Sequence, residues 1–206
     1  MDGSLGVPLS SKGINILIAE DDVAVAKGFQ LILEKAGYRI VGLAHDGIQA
    51  MDLAIKTTPD LILMDIKMPR MDGLEAARRI NQNNRKGYIP IVLVTAYADQ
   101  KLVEKAKESG VLGYLVKPVH LDDLVPAVEL AYSAAQRINA LEGVVENLSQ
   151  ELESRKVVER AKGILMKRLN ISEEEALSMM QKESRRQRIK LRDLAKAIIS
   201  SDKVMS

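Results

Sequence analysis

Leu61-Ile62-Leu63-Met64-Asp65 is an unbroken run of apolar side chains closed by a carboxylate. Three other stretches repeat the design. Residues 14–19 end at Glu20-Asp21, residues 91–94 end at Thr95, and residues 113–116 end at Lys117-Pro118. Short apolar runs without polar alternation predict strands buried on both faces, and the segments between them have helical spacing. This alternation predicts an α/β domain on a parallel sheet, with a further strand over 39–43 that carries no site residue. The C-terminal ends of parallel strands gather at one edge, so three carboxylates, a hydroxyl and an ammonium are expected to meet there.

Crowded carboxylates repel one another, which raises a pKa or calls for a cation. A hard cation such as Mg²⁺, or Mn²⁺, takes oxygen ligands from one or two carboxylates plus water and phosphate. Asp21 and Asp65 are expected to hold it directly and Glu20 through water. Asp65 is then the expected nucleophile, forming an aspartyl phosphate. Lys117 would neutralise phosphoryl oxygens and the Thr95 hydroxyl would donate a hydrogen bond to one. Any one of these residues alone reads more readily as a solvated strand end or an ordinary surface charge; their joint placement at one edge is what points to phosphoryl chemistry.

With these residues in place, the chain resembles the receiver domain of bacterial two-component response regulators over about residues 13–130. Asp65 lies 44 residues after Asp21, 30 before Thr95 and 52 before Lys117, and 63–69 followed by Met71-Asp72-Gly73 is similar to the family's phosphoacceptor loop. The resemblance implies a flavodoxin-like, doubly wound (βα)5 fold. It also implies that Lys67 lends its backbone carbonyl to the metal, that Tyr114 moves with Thr95 on phosphorylation, and that a sensor histidine kinase supplies the phosphoryl group. Glu20 stands where the family usually has Asp, an exchange suited to an outer-sphere ligand.

Helices are expected over 23–35, 47–56, 73–81, 98–109 and from 121 onward, with Gly and Pro at the junctions. The last of these does not stop. Ala131, Ala134, Ile138, Leu141, Val145, Leu148 and Leu152 alternate steps of three and four, a heptad pattern interrupted only by Gly143. Two explanations stay open: a coiled-coil seam between two copies, or an amphipathic helix folded back on its own domain. The resulting division is a lead over 1–12, a receiver over 13–130, a helical linker over 131–152 and a small all-α domain over 153–206. In that last part the long helix continues to about 169. Ser172 and Glu175 form a capping box for a helix ending near 184, and Leu191, Leu194, Ala195, Ile198 and Ile199 mark a third.

Charge separates the two parts. Residues 1–152 carry 16 Lys and Arg against 20 Asp and Glu, a net of −4, whereas 153–206 carry 14 against 8, a net of +6. Basic residues gather at Arg155, Lys156, Arg160 and Lys162 and again at Arg185, Arg186, Arg188 and Lys190, an arrangement that suits phosphates or a solvated face. No aromatic follows Tyr132, which excludes the sheet-based single-strand readers that stack bases on rings. The basic connection and the mostly apolar third helix make duplex DNA the weaker case. Aromatics are only 3% of the chain, so its core must be aliphatic, and the absence of cysteine excludes disulfides and thiolate metal sites. No apolar stretch is long enough for a bilayer and the N-terminal lead has no apolar h-region, so the expectation is a cytoplasmic protein without membrane attachment.

The tail resembles the ANTAR domain over about 146–202. Leu152-Glu153-Ser154-Arg155, Glu159-Arg160-Ala161-Lys162-Gly163-Ile164-Leu165-Met166, Glu175-Ala176-Leu177 and Lys190-Leu191-Arg192-Asp193-Leu194-Ala195 carry the likeness. It implies an RNA-binding antiterminator acting on leader hairpins. Leu177 departs from a frequent aromatic, and Gln181 from a frequent Arg. Ala161 and Gly163 leave either a low surface for RNA or room for close helix packing. The expected function is thus a phosphorylation-controlled regulator that binds RNA and forms a homodimer when phosphorylated. The alternative is an output through a protein partner or DNA. His45 and His120 belong to no recognisable catalytic group, so no enzyme is expected beyond self-phosphorylation and dephosphorylation at Asp65.

Overall fold

A computed structural model describes residues 13–83, 87–96 and 109–204. The expected lead over 1–12 and all but the last residue of the helix expected over 98–109 lie outside them. The elements are β1 (Asn15–Ala19), α1 (Val23–Lys35), β2 (Arg39–Ala44), α2 (Gly47–Thr57), β3 (Leu61–Asp65), α3 (Gly73–Asn83), β4 (Ile91–Thr95), β5 (Gly113–Val116), α4 (Leu121–Leu169), α5 (Glu173–Gln187) and α6 (Leu191–Val204). The chain divides into two compact units at residues 140 and 141.

In the first unit the strands form one sheet in the order β2-β1-β3-β4-β5. Every pairing is parallel. Successive residues point to opposite faces, and both faces are covered. On one side Leu17, Ile62, Met64, Ile91 and Leu93 pack with Ala50 and Ala54 of α2 and Ala76, Ala77 and Ile80 of α3. On the other, Ile16, Ile18, Leu61, Leu63, Val92 and Val94 pack with Phe29 and Leu33 of α1 and Leu124, Val128 and Ala131 of α4. This is why the central strands read as continuous apolar runs rather than alternating ones. Carboxylates start the helices: Asp22 accepts from the Ala24 and Val25 amides, and Asp46 from those of Ile48 and Gln49.

The second unit is three helices around a small core. Ala161, Met180, Leu194 and Ala195 are buried together, with Val157, Val158, Leu165, Leu191, Ile198 and Ile199 packed around them. Ser172 and Glu175 form the expected capping box at the start of α5.

The heptad stripe along α4 proves to have two environments. Ala131 is buried in the receiver core, so the stripe folds back on its own domain there. Farther along, Leu141, Val145, Leu148 and Leu152 are each more than half exposed, and every residue from 141 to 153 is exposed.

Two glycines of the first unit respond oppositely to an added methyl group. Gly28 faces open space inside α1, so Gly28→Ala is expected to raise stability by about 0.5–1 kcal/mol in urea denaturation. A Cβ at Gly73 would lie 2.1 Å from the Asp65 carbonyl oxygen, so Gly73→Ala is expected to lower stability by about 1–3 kcal/mol.

Candidate functional site

The sheet delivers the expected side chains to one edge. Asp65 and Thr95 are the last residues of β3 and β4, Glu20-Asp21 follow β1 directly, and Lys117 follows β5. Glu20, Asp65 and Thr95 are buried, whereas Asp21 is exposed. The Lys117 ammonium lies between the two buried acids, with Nζ 2.8 and 3.0 Å from the Glu20 carboxylate oxygens and 2.9 Å from Asp65 Oδ2. Its backbone N–H donates to the Thr95 carbonyl at 2.8 Å, which fixes the base of the side chain.

Burial pushes the Glu20 carboxyl above the ordinary glutamate value. The neighbouring Asp65 charge adds to the rise, and Lys117 opposes it. For Lys117 burial works against the cation, but hydrogen bonds to Asp65 and Glu20 outweigh it and hold its pKa above the usual lysine value. Three carboxylates against one ammonium leave the edge negative. Glu20, Asp21 and Asp65 each offer an oxygen, and these atoms lie within 4.8 Å of one another. A hard divalent cation fits that donor set.

The loop after β3 is braced from several directions. Gly73 N–H donates to the Ile66 carbonyl at 2.8 Å, Gly47 N–H to that of Met71 at 3.2 Å, and Arg70 pairs with the buried Asp46. Lys67 is exposed, and its backbone N–H approaches Asp65 Oδ1 at 3.4 Å. Tyr114 on β5 is about half exposed. His45, which its sequence neighbours do not tie to any site, has its Nδ1 3.2 Å from the Glu20 carbonyl oxygen and thereby steadies the acidic turn. The Asp46–Arg70 and His45 contacts link loops far apart in sequence, and no local spacing signals them.

In the second unit the basic residues separate into classes. Arg155, Lys156, Arg160, Arg185, Arg186, Arg188 and Lys190 are exposed. Arg155 pairs with Glu151, Lys156 with Glu153 and Arg186 with Glu183 along their own helices. Lys162 corrects the expectation of an RNA-facing cation. Its side chain is 6% exposed and its Nζ lies 2.8 Å from Glu159 and 2.6 Å from Glu173, so it ties α4 to the first turn of α5. Ala161 is likewise no low outer surface, because it is fully buried against the other two helices. Gly163 differs: a Cβ there would meet nothing within 4 Å.

Removing the ammonium would leave Glu20 and Asp65 facing each other without compensation. Lys117→Met is expected to lower stability by about 2–3 kcal/mol at neutral pH without divalent cations, with added Mg²⁺ recovering part of the loss. Urea denaturation with and without Mg²⁺ checks both, and wild-type stability of the variant would show that the charges are screened by solvent.

Comparisons with known proteins agree with this arrangement. The response regulator receiver domain family matches residues 16–129, and the ANTAR domain family matches 146–199. The transcriptional regulatory protein PdtaR of Mycobacterium tuberculosis is 42% identical over 186 residues, covering 90% of this chain and 89% of the relative. Sporulation initiation phosphotransferase F of Bacillus subtilis is 33% identical over 114 residues, 55% of this chain and 90% of its own length. Among solved structures, a two-component response regulator of the LuxR family from Aurantimonas sp. superposes with a TM-score of 0.54 at 30% identity, over 63% of this chain and 97% of that one. The chemotaxis protein CheY4 of Vibrio cholerae gives 0.55 at 26% identity, over 57% and 98%. A site-bearing parallel sheet followed by a three-helix unit, matched in that order by both families, means that this chain belongs to the two-component response regulators that join a receiver domain to an ANTAR domain.

Proposed function

We propose that the protein is a phosphorylation-controlled RNA-binding regulator that acts as a transcription antiterminator in the cytoplasm. The observation that carries this reading is the Lys117 ammonium held between Asp65 and Glu20 at the strand edge. It marks Asp65 as a carboxylate whose charge the fold already compensates and whose oxygen is set beside a cation.

Asp65 attacks the phosphorus of a phosphohistidine on a sensor histidine kinase. The new P–O bond forms as the P–N bond breaks, and the kinase imidazole leaves with the electron pair. Lys117 then follows the negative charge onto a phosphoryl oxygen, and the Thr95 hydroxyl donates to another. Glu20, Asp21, Asp65 and the Lys67 backbone carbonyl would hold Mg²⁺ or Mn²⁺. The bound ion supplies positive charge against the phosphoryl oxygens. Tyr114, the second residue of the edge strand β5, moves with Thr95. The exposed Lys67 side chain sets how readily water reaches the phosphate. No turnover of a metabolite belongs to this scheme.

On the output side, the exposed cations at 185–190 and on α4 take the phosphates of leader-RNA hairpins, and phosphorylation favours a homodimer that presents two such surfaces. Arg188 supports an RNA role for the α5–α6 turn. It is exposed and caps α5 in the left-handed region at φ 55°, so its guanidinium is carried on the turn itself, open to a phosphate.

Filter binding of RNA hairpins, with and without a small phosphodonor plus Mg²⁺, is expected to show at least a tenfold gain on phosphorylation, a gain that Asp65→Asn abolishes. Equal affinity in both states removes the switch, and a preference for duplex DNA or no nucleic-acid preference moves the output elsewhere. Arg188→Gly is expected to act with opposite signs. It should stabilise the protein by about 0.5–1 kcal/mol while weakening hairpin binding and flattening its salt slope by about one.

A further inference from the structure

The receiver unit has a second concave surface at the end of the sheet opposite Asp65. Residues 58–60 lead into β3 and residues 87–90 into β4, so both segments lie at the N-terminal ends of parallel strands whose C-terminal ends carry Asp65 and Thr95. Helix α4 adds Tyr132, Ala135, Gln136 and Asn139, and the three segments enclose a cavity of about 240 Å³.

Its walls are tied to one another. Asn139 pairs with the Tyr88 backbone in both directions: its Oδ1 accepts from the Tyr88 N–H at 2.7 Å and its Nδ2 donates to the Tyr88 carbonyl at 3.1 Å. The Tyr88 hydroxyl donates to the Gly110 carbonyl, which also accepts from Asn81 Nδ2 at 3.2 Å. Gly87 turns the chain at φ 109°, and a Cβ there would lie 2.9 Å from Asn139 Oδ1. A cavity held in this way costs little to organise around a ligand.

The lining chooses the ligand. Asp60 carries the one formal charge among the lining residues, because burial pushes the Tyr88 hydroxyl up to about 12 and keeps it neutral. Asp60 is half-buried, and its Oδ2 accepts from the Asn15 backbone N–H at 2.8 Å. Its other oxygen has no partner among the described residues. We infer that this cavity binds a small primary alkylammonium ion, with Asp60 as the counter-ion. One open carboxylate oxygen suits a compact ammonium, whereas a guanidinium fork takes both oxygens. Tyr88 and Tyr132 add aromatic surface, which favours a cation over a neutral molecule. Pro59, Ile89, Pro90 and Ala135 suit an alkyl stem. At roughly 30 Å³ for each water-sized group, the volume admits about eight non-hydrogen atoms, below the size of a drug-like ligand.

Such a ligand touches the lead-in segments of β3 and β4 on one side and α4 on the other, just before the unit boundary at residues 140 and 141. It therefore favours the seated arrangement of the last receiver turns of α4. The five residues of β3 separate it from the phosphoryl edge by about 16 Å, so it acts without touching that site.

Titration of the full-length protein with n-butylammonium chloride, followed by amide NMR, is expected to move the Tyr88 backbone and Asn139 side-chain signals with a Kd of about 1 mM. Sodium butyrate, of similar length and opposite charge, and sodium chloride are expected to move neither. Asp60→Asn keeps an oxygen for the Asn15 N–H and is expected to weaken the amine at least tenfold. Gln136→Lys, at an exposed helical position, sets a tethered ammonium at the cavity. It is expected to abolish binding of the free amine and to slow amide exchange over residues 132–139, as butylammonium does in the wild type. Shifts scattered over surface carboxylates overturn the amine site, as do shifts at Tyr88 and Asn139 that butyrate reproduces or that persist unchanged in Asp60→Asn. Should Asp60→Asn fail to fold, Gln136→Lys decides: undiminished amine binding in that variant overturns the site.

Discussion

One ammonium between two buried carboxylates is the contact on which the site-bearing edge depends. Glu20 comes from β1, Asp65 from β3 and Lys117 from β5, and β4 with Thr95 runs between the last two. Adjacent strands are about 4.8 Å apart, so Lys117 must reach back across two or three strand spacings. A four-carbon stem meeting the acid side chains part-way spans that distance. Burial makes the arrangement costly for Glu20, whose carboxyl is pushed upward, and the cation is what allows both acids to remain at the edge. The balance is still negative, since Asp21 adds a third carboxylate. An edge with compensating charge nearby but too little of it is suited both to a divalent cation and to exchanging one anionic partner of Lys117 for another.

The parallel sheet was legible because its central strands are buried on both faces. Residues 61–65 and 91–95 are buried without exception, and such strands have no choice but to be aliphatic. Their ends were legible for the complementary reason that polar side chains interrupt the run where the sheet meets the site. The bracing of the β3–α3 loop was not legible. Gly73 packs against the Asp65 carbonyl and Asp46 meets Arg70, both through contacts set by how loops stack rather than by spacing along the chain. His45 is a case of the same kind: a residue with no motif around it touches the Glu20 carbonyl because β1 and β2 end side by side.

In the three-helix unit, residue type misled where burial decides. Lys162 and Arg160 are near neighbours in a basic run, yet one is buried in an ion-pair bridge to Glu173 while the other is exposed. A helix turns 100° per residue, so adjacent cations face different environments, and only the position of α5 determines which is which. Ala161 and Gly163 separate in the same way. Ala161 lets α4 approach the other two helices closely, which a core of so few side chains requires, whereas Gly163 leaves open space beside the helix. The small core also explains why Ser172 and Glu175 cap α5 reciprocally and why Lys162 bridges its first turn: with little apolar area to bury, the ends of the helices must be satisfied by specific polar contacts.

Helix α4 places three environments on one uninterrupted element. Its first turns bury Leu124, Val128 and Ala131 against the sheet, its last turns bury Ala161, and the stretch between has no tertiary support among the described residues. Being continued at both ends, the middle needs no nucleation of its own, which removes the main barrier to a solvated helix. Propensity and the Arg155–Glu151 and Lys156–Glu153 pairs then suffice to keep it helical, although each contributes little. The apolar row of Leu141, Val145, Leu148 and Leu152 contributes nothing to that balance, since each side chain is more than half exposed.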